Sequence, residues 1–463
     1  MRTALVVCWS RHHPERVGEV VFAPGDASAP AVVVGRGPRG VDDEEPKATF
    51  LRQQPGANLP QPPWSTRGIS RRQLRLQWVD GLPEAENVGR CPLVVAGAEL
   101  DRVKLEPGRI LHLKGQLSFL VVERPLQLAA SASFPDDDVP RFGGPDRFGI
   151  VGESPGAWEL RDSLAFAATR PLHVLLLGPS GSGKEAAARM IHALSPRAGK
   201  PLIARNAATI PHGLVDAELF GNVRDYPNPG MKMREGLIGA AHEGTLLLDE
   251  IAELPEAQQA HLLRVLDEGG EYQRLGDPTT RRSDLRLIGA TNRPTSALKH
   301  DLLARLPLRI PIPPLSARQE DVPLLLLHLL RQAAAEDPAV HQQFCAGELG
   351  GGARIGPEVV HYALGRELED NVRGLRTLLW RCIRQSRGEW VLLDPELAAA
   401  PTPEPLRREP SEITADMLRA ALRRHDGVLE RVWRELGLKN RHMLRRLLQK
   451  HEIDPQAAPE TEW

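Results

Sequence analysis

The run Val174-Leu175-Leu176-Leu177 passes straight into Gly178-Pro179-Ser180-Gly181-Ser182-Gly183-Lys184-Glu185 and then into the helix-favouring Ala186 to Leu194. Few features restrict a fold as much. An apolar strand, a glycine turn and a helix, in that order, bring unpaired backbone N–H groups to a helix N-terminus, where they cradle phosphate oxygens while Lys184 reaches the terminal phosphates. The segment predicts a P-loop, with Gly178, Pro179, Ser180, Gly181, Ser182, Gly183, Lys184 and Glu185 around the nucleotide. The general pattern closes on Ser or Thr for magnesium, and Glu185 stands there instead. Metal binding therefore has to lean on a carboxylate from elsewhere and on water.

Leu246-Leu247-Leu248-Asp249-Glu250 supplies that carboxylate, three leucines ending in two acids. Asp249 is expected to hold Mg²⁺, and Glu250 to orient and polarise the attacking water, so the chain is expected to bind ATP with Mg²⁺ and to hydrolyse it. Val174 to Leu177, Leu202 to Arg205, Leu246 to Leu248, Leu285 to Gly289 and Leu308 to Ile312 are apolar runs separated by amphipathic stretches. That alternation predicts an α/β domain whose parallel sheet is covered on both faces.

The rest of the 463 residues divides around this domain. Gly and Pro number 41 each, above the roughly 7% and 5% of an average protein, and they mark the joints. Short β-rich runs up to about residue 125 (Val20 to Phe22, Ala31 to Val34, Leu74 to Val79, Leu93 to Val95, Ile110 to Leu113, Leu117 to Val122) predict a β-sandwich. Residues 131–147, with Pro135, Asp136-Asp137-Asp138, Pro140 and Gly143-Gly144-Pro145, read as a linker, and so does 394–411. Between 412 and 454 the apolar stripe Leu429, Val432, Trp433, Leu436 is followed by Gly437 and by Met443, Leu444, Leu447, Leu448, which predicts helix, turn, helix. Formal charge is −1 overall, but Glu412 to His451 carries ten Lys/Arg against five acids, a local +5. Near neutrality excludes a uniformly basic nucleic-acid coat and hides one basic tail.

Cys8, Cys91, Cys345 and Cys382 lie far apart without a C-x-x-C pair, against a zinc ribbon or a disulfide framework. Apolar runs such as Val322 to Leu330 fall short of the roughly 20 residues of a membrane span, and Met1 to Trp9 lacks a cleavage pattern. A cytoplasmic protein with no membrane partner is the expectation.

Ile150 to Arg387 resembles the AAA+ domain of bacterial enhancer-binding proteins, the NtrC-like activators that remodel sigma-54 RNA polymerase. Val151-Gly152-Glu153-Ser154-Pro155, Gly178 to Glu185, Glu218-Leu219-Phe220-Gly221, Gly244 to Ile251, Ala290-Thr291-Asn292-Arg293 and Pro313-Pro314-Leu315 occur in the family's order. The resemblance implies that Asn206 is a switch that hydrogen-bonds Glu250, that Thr291 and Asn292 form sensor I, and that Arg373 is sensor II in a helical lid. It further implies that Arg305 is an arginine finger acting on a neighbouring subunit, hence a homo-oligomeric ring, hexamer or heptamer; Lys299 stands where a second arginine is usual. The family's sigma-contacting loop reads Gly-Ala-Phe-Thr-Gly-Ala, and here the positions read Asp225-Tyr226-Pro227-Asn228-Pro229-Gly230, with Phe replaced by Pro227 and Thr by Asn228. Two prolines stiffen the tip.

Residues 20 to 124 resemble the forkhead-associated sandwich, which reads phosphothreonine. Arg36, Ser70, Arg71 and Asn87 fall in its order, with Gln73 in place of the usual buttressing His. Guanidinium forks and a hydroxyl suit a phosphate, and an amide suits a peptide backbone. The C-terminal helices resemble a Fis-type helix-turn-helix, whose recognition helix at about Asn440 to Gln449 would present Lys439, Asn440, Arg441, His442, Arg445 and Arg446 to DNA.

The expected architecture is multidomain: FHA-like sandwich 1–130, linker 131–147, AAA+ α/β subdomain 148–315, helical lid 316–393, linker 394–411 and helix-turn-helix 412–454. The altered loop leaves two functions open. One is an ATP-driven regulator that binds upstream DNA and remodels sigma-54 polymerase in answer to a phosphothreonine protein; the other is an AAA+ DNA-binding regulator or scaffold that does not touch sigma-54.

Overall fold

The computed structural model describes residues 1–463 apart from 39–44, 227, 347–351, 367, 400–414, 425–428, 430, 431, 434, 435, 437, 439, 440, 452 and 454–463. The chain forms two compact units, Met1–Asp394 and Pro395–Trp463.

The first unit opens with two antiparallel sheets. Eight strands run in the order Ala57–Pro60, Leu51–Gln54, Val20–Phe22, Arg2–Ser10, Leu117–Arg124, Ile110–Leu113, Leu93–Val95, Ala98–Glu99, and four in the order Arg102–Lys104, Leu82–Asn87, Leu74–Val79, Val32–Val34. Leu74 and Leu76 are buried while Arg75 and Gln77 between them are not, the alternation of a half-buried strand. Arg2–Ser10 is different. It lies centrally, buried from Ala4 to Ser10 without alternation, because the lid helices cover the outer face of its sheet. Trp9 Nε1 donates to Ile355 O at 2.6 Å there. The sequence expectation missed this strand for that reason.

Residues 131–147, expected as a linker, are packed into the same unit. Asp162 Oδ1 accepts from the backbone N of Ala132, Ser133 and Phe134, and Phe134 lies edge-on to Trp158. Arg161 Nε donates to Asp146 Oδ2 at 3.0 Å with both side chains fully buried. Pro, Gly and Asp are the currency of tight turns as well as of linkers.

Five parallel strands follow in the order Leu202–Asn206, Thr245–Asp249, Arg286–Thr291, Val174–Leu177, Leu308–Pro311. They are the five apolar runs of the sequence, within a residue or two at the ends. Neighbouring side chains on a strand go to opposite faces. Leu175, Leu246, Leu248 and Leu287 pack with Phe220, Ile238 and Leu262, whereas Val174, Leu176, Leu247 and Ile288 pack with Trp158, Leu164, Met190 and Ile191. The lid comprises helices Val322–Glu336, Pro338–Phe344, Pro357–Leu364 and Asn371–Gln385. Pro155, Pro338 and Pro357 each open a helix, where the missing N–H costs nothing and φ is already set.

In the second unit, helices Ala415–Arg424 and Arg441–Lys450 share a core of Leu418, Leu422, Val432, Leu436, Leu444, Leu447 and Leu448, with Trp433 packed against it. Arg445 and Arg446 are exposed. Lys439 and Asn440, the linker positions 400–411, and the side chains of Arg441 and His442 lie outside the described residues. Among the described residues no helix is long and apolar enough to cross a membrane.

Candidate active site

The strand Val174–Leu177 ends at Gly178, and the helix Lys184–Ala193 begins after Gly183, which holds φ +108°. Only glycine enters that region without strain. At Gly181 a Cβ would stand 2.3 Å from Asp370 O, so the lid lies directly on the loop. Asn371 Nδ2 donates to Ser180 O at 2.9 Å and Val372 N to Gly181 O at 3.1 Å. Arg373 Nη1 donates to Ser180 Oγ at 2.9 Å. The structure thus brings Arg373 to the phosphate loop, and Asn371 with it, which the sequence expectation left out of the site.

The loop, the lid and the strand ends enclose a cleft of about 490 Å³ lined by Gly181, Ser182, Gly183, Lys184, Glu185, Asn206, Asp249, Glu250 and Arg373, with apolar Ile150, Val151, Leu160 and Leu329. An apolar wall beside converging polar groups fits a nucleotide's base and phosphates. Lys184 Nζ donates to Gly178 O at 3.0 Å and Pro179 O at 3.2 Å, and stands 3.8 Å from Glu250 Oε1. Ser182 Oγ is buried without a hydrogen-bond partner. Lysine on carbonyls, an orphaned hydroxyl and a helix N-terminus form a donor set suited to an anion. Glu185 is exposed and paired with Arg189. Asp249 lines the same cleft at the end of its strand, half-buried beside Glu250.

Glu250 sits at φ +50°, left-handed backbone that costs a non-glycine residue energy. Its N donates to Asp249 Oδ1 at 3.0 Å, and its Oε2 accepts from Asn292 N at 3.1 Å. Asn206, expected to hold Glu250, pairs in register with Asp249, but its Oδ1 accepts from Ala208 N at 2.9 Å, capping a short turn. The glutamate is held instead by the backbone N–H of Asn292. Thr291 is fully buried: its Oγ1 accepts from Arg293 N at 3.1 Å and its O from Gly178 N at 3.1 Å, tying the end of its strand to the phosphate loop.

Arg305 lies elsewhere. It lines a separate cleft with Asp267, Arg282 and Arg286, and its Nε donates to Asp267 Oδ1 at 2.9 Å. Lys299 Nζ is 3.6 Å from Glu256.

Asn222, fully buried, donates from Nδ2 to Val223 O, Tyr226 O and Lys232 O at 2.8, 3.2 and 3.0 Å, gathering the base of the loop that carries Asp225 to Gly230. Asp225, at φ +63°, accepts at Oδ1 from Gly230 N at 2.8 Å. Tyr226 and Met233 are 43% and 63% exposed; Asn228 and Pro229 are also exposed, and Pro227 lies outside the described residues.

On the sandwich, Arg36 N donates to Ser70 O at 3.0 Å, and Arg71 O accepts from Lys47, so Arg36, Ser70 and Arg71 share one loop end. Gln73 is the buried buttress. It accepts from Ser70 N at 2.9 Å and donates to Asn87 Oδ1 at 2.7 Å and Cys91 O at 2.8 Å. Asn87 spends its own amide on Cys91 O at 3.1 Å, so the peptide clamp expected of it is engaged within the chain. Ser70 Oγ accepts from Arg90 N at 3.0 Å.

Comparison with known proteins bears on this geometry. The Sigma-54 interaction domain family matches residues 150–311. The transcriptional regulatory protein ZraR of Escherichia coli is 32% identical over 356 residues, 74% of this chain and 78% of that protein. The regulatory protein AtoC of Escherichia coli is 31% identical over 398 residues, 81% of this chain and 80% of that protein. The crystal structure of NtrX from Brucella abortus in complex with ATP is 28% identical and covers 66% of this chain and 70% of that one, with a TM-score of 0.48. With its P-loop, paired acids and parallel sheet in one cleft, the chain belongs to the sigma-54-dependent transcriptional activators and carries their AAA+ ATPase domain.

Proposed function

We propose that this ATPase works as a ring that remodels sigma-54 RNA polymerase from upstream DNA, under the control of a phosphothreonine-bearing protein in the cytoplasm. Lys184 and the backbone of Gly178 to Glu185 would bind the phosphates, with Arg373 and Asn371 fixing the loop from the lid side. Mg²⁺, when bound, neutralises charge on the phosphates, and Asp249 would hold it. Glu250, fixed through Asn292 N, would orient the attacking water, with Asn206 released or engaged as the cleft changes state. Arg305, remote from its own cleft, would reach the cleft of the next subunit, where a guanidinium stabilises the transferring phosphoryl group.

The observation that carries the polymerase reading is Asn222. Three loop carbonyls converge on one buried amide, which gives a rigid base to a tip exposing Tyr226 and Met233. A stiff, apolar tip on a nucleotide-driven domain is suited to pushing on a protein partner. Arg36, Ser70 and Arg71 supply the phosphopeptide loop end of the sandwich, and Arg445 and Arg446 supply phosphate contacts from the C-terminal helices.

Binding of the purified chain to sigma-54, with ATP and Mg²⁺ and Glu250→Gln to slow turnover, tests the loop. Tyr226→Ala is expected to weaken binding about ten-fold, in the range of an aromatic contact at an interface. No binding by either form would favour the regulator or scaffold that leaves sigma-54 untouched.

A further inference from the structure

Arg318 lies in the turn between the sheet and the lid, far from the P-loop in sequence, yet it lines the same cleft. Its side chain is 5% exposed. Nη2 donates to Ser182 O at 3.1 Å, while Nε is buried without a partner. Ser182 itself is 2% exposed, and its Oγ also lacks a partner. A guanidinium with an unspent donor and a hydroxyl with none of its bonds made therefore meet at the turn where the phosphate loop enters its helix. Unsatisfied buried polar atoms are costly, and at a site they mark the place of a ligand.

The carbonyl that Arg318 holds belongs to the peptide unit whose N–H is that of Gly183. A trans peptide is planar, with C=O and N–H antiparallel, so fixing one fixes the other. Gly183 holds φ +108° and has no side chain to restrain that plane. The plane is thus set from outside, by Arg318. We propose that Arg318 is a positioning residue for nucleotide binding: it orients the Ser182–Gly183 peptide so that the Gly183 N–H joins the phosphate donors, and it adds a fixed positive charge beneath them.

Its place in the fold gives the contact a second use. Arg318 starts the turn Gln319–Asp321, in which Asp321 accepts from Glu153 N, Ser154 N and Ser154 Oγ at 2.8, 2.9 and 2.6 Å. The phosphate loop, the strap before the first helix of the ATPase domain and the lid are thus joined through four consecutive residues.

Titration with fluorescent ADP and steady-state ATPase kinetics on the full chain, wild type against Arg318→Ala and Arg318→Lys, decide the role. A lost charge-assisted bond predicts that Arg318→Ala raises the Kd for ADP and the KM for ATP by about ten-fold or more. The turnover number at saturating ATP should change less. Arg318→Lys, keeping charge without the fork, should fall between. A merely structural role would lower thermal stability and the active fraction, hence the turnover number, while leaving the Kd and KM of the folded protein within two-fold; that result overturns the proposal. If Arg318→Ala does not fold, Arg318→Lys alone decides it, by a raised or an unchanged Kd.

Discussion

Arg124 and Glu320, 196 residues apart, meet at 2.7 Å where the last sandwich strand touches the turn that opens the lid. Arg124 is 1% exposed, and its Nη2 also donates to Glu153 O at 2.8 Å. One guanidinium thus grips both the strap and the lid turn of the ATPase domain. His361 of the lid adds a second contact, 2.9 Å from Ser118 Oγ in the same strand as Arg124. The sandwich is packed on the ATPase domain rather than tethered beside it.

Breaking a buried pair leaves a buried charge uncompensated, which costs about 3–5 kcal/mol. Arg124→Ala is therefore expected to destabilise the chain by about 3 kcal/mol in urea unfolding. Arg102→Ala, at an exposed pair with Glu86, should leave the urea midpoint nearly unchanged. Equal effects would contradict the burial argument.

The same junction predicts a pH dependence of opposite sign to ordinary acid denaturation. Burial pushes the carboxyl of Glu153 up to about 7, against its bond from Gly143 N and the nearby Arg161. Burial does the same to Glu320, up to about 7, outweighing Arg124 beside it. An acid that holds its proton more tightly when folded contributes stability below its ordinary value of 4.5, and that stability is lost as pH rises to about 7. Urea midpoints should therefore show a falling contribution between those values, reduced in Glu153→Gln. An identical slope in the variant would refute it.

Arg305 and Lys184 line different clefts, so an active site completed in trans can be assembled from two defective chains. Lys184→Ala and Arg305→Ala are each expected to lack ATPase activity. Mixed in equal amounts under assembling conditions, they should regain about a quarter of wild-type activity, the share of interfaces that pair an intact loop with an intact finger. No recovery would mean that Arg305 serves its own subunit or none.

How much was legible in the sequence followed the range of the interactions. The five parallel strands and the P-loop are written locally, as apolar runs and as glycines ahead of Lys184, and they were found in place. Long-range bonds were not legible: Arg318 to Ser182, Asn371 to Ser180 and Arg124 to Glu320 join residues with no shared periodicity. Asp146 shows the same limit, because its composition context reads as a linker until Arg161 is placed against it. The strand Arg2–Ser10 escaped because burial on both faces erases its alternation and, unlike the five parallel runs, it is not set between helices in the sequence. Asn206 was expected on Glu250 and was found capping Ala208, since one side chain can serve a local turn or a distant acid.

The central claim is that ATP hydrolysis at this cleft drives the loop held by Asn222 against sigma-54 polymerase. Open-complex formation on a sigma-54 promoter carrying an upstream binding site, with purified polymerase and ATP, measures it directly. Wild type should form open complexes, while Lys184→Ala and Glu250→Gln should fall by about 10²-fold or more, in line with loss of a transition-state contact. Active ATPase with no open complex on any sigma-54 promoter tested would contradict the account and leave the motor with another target.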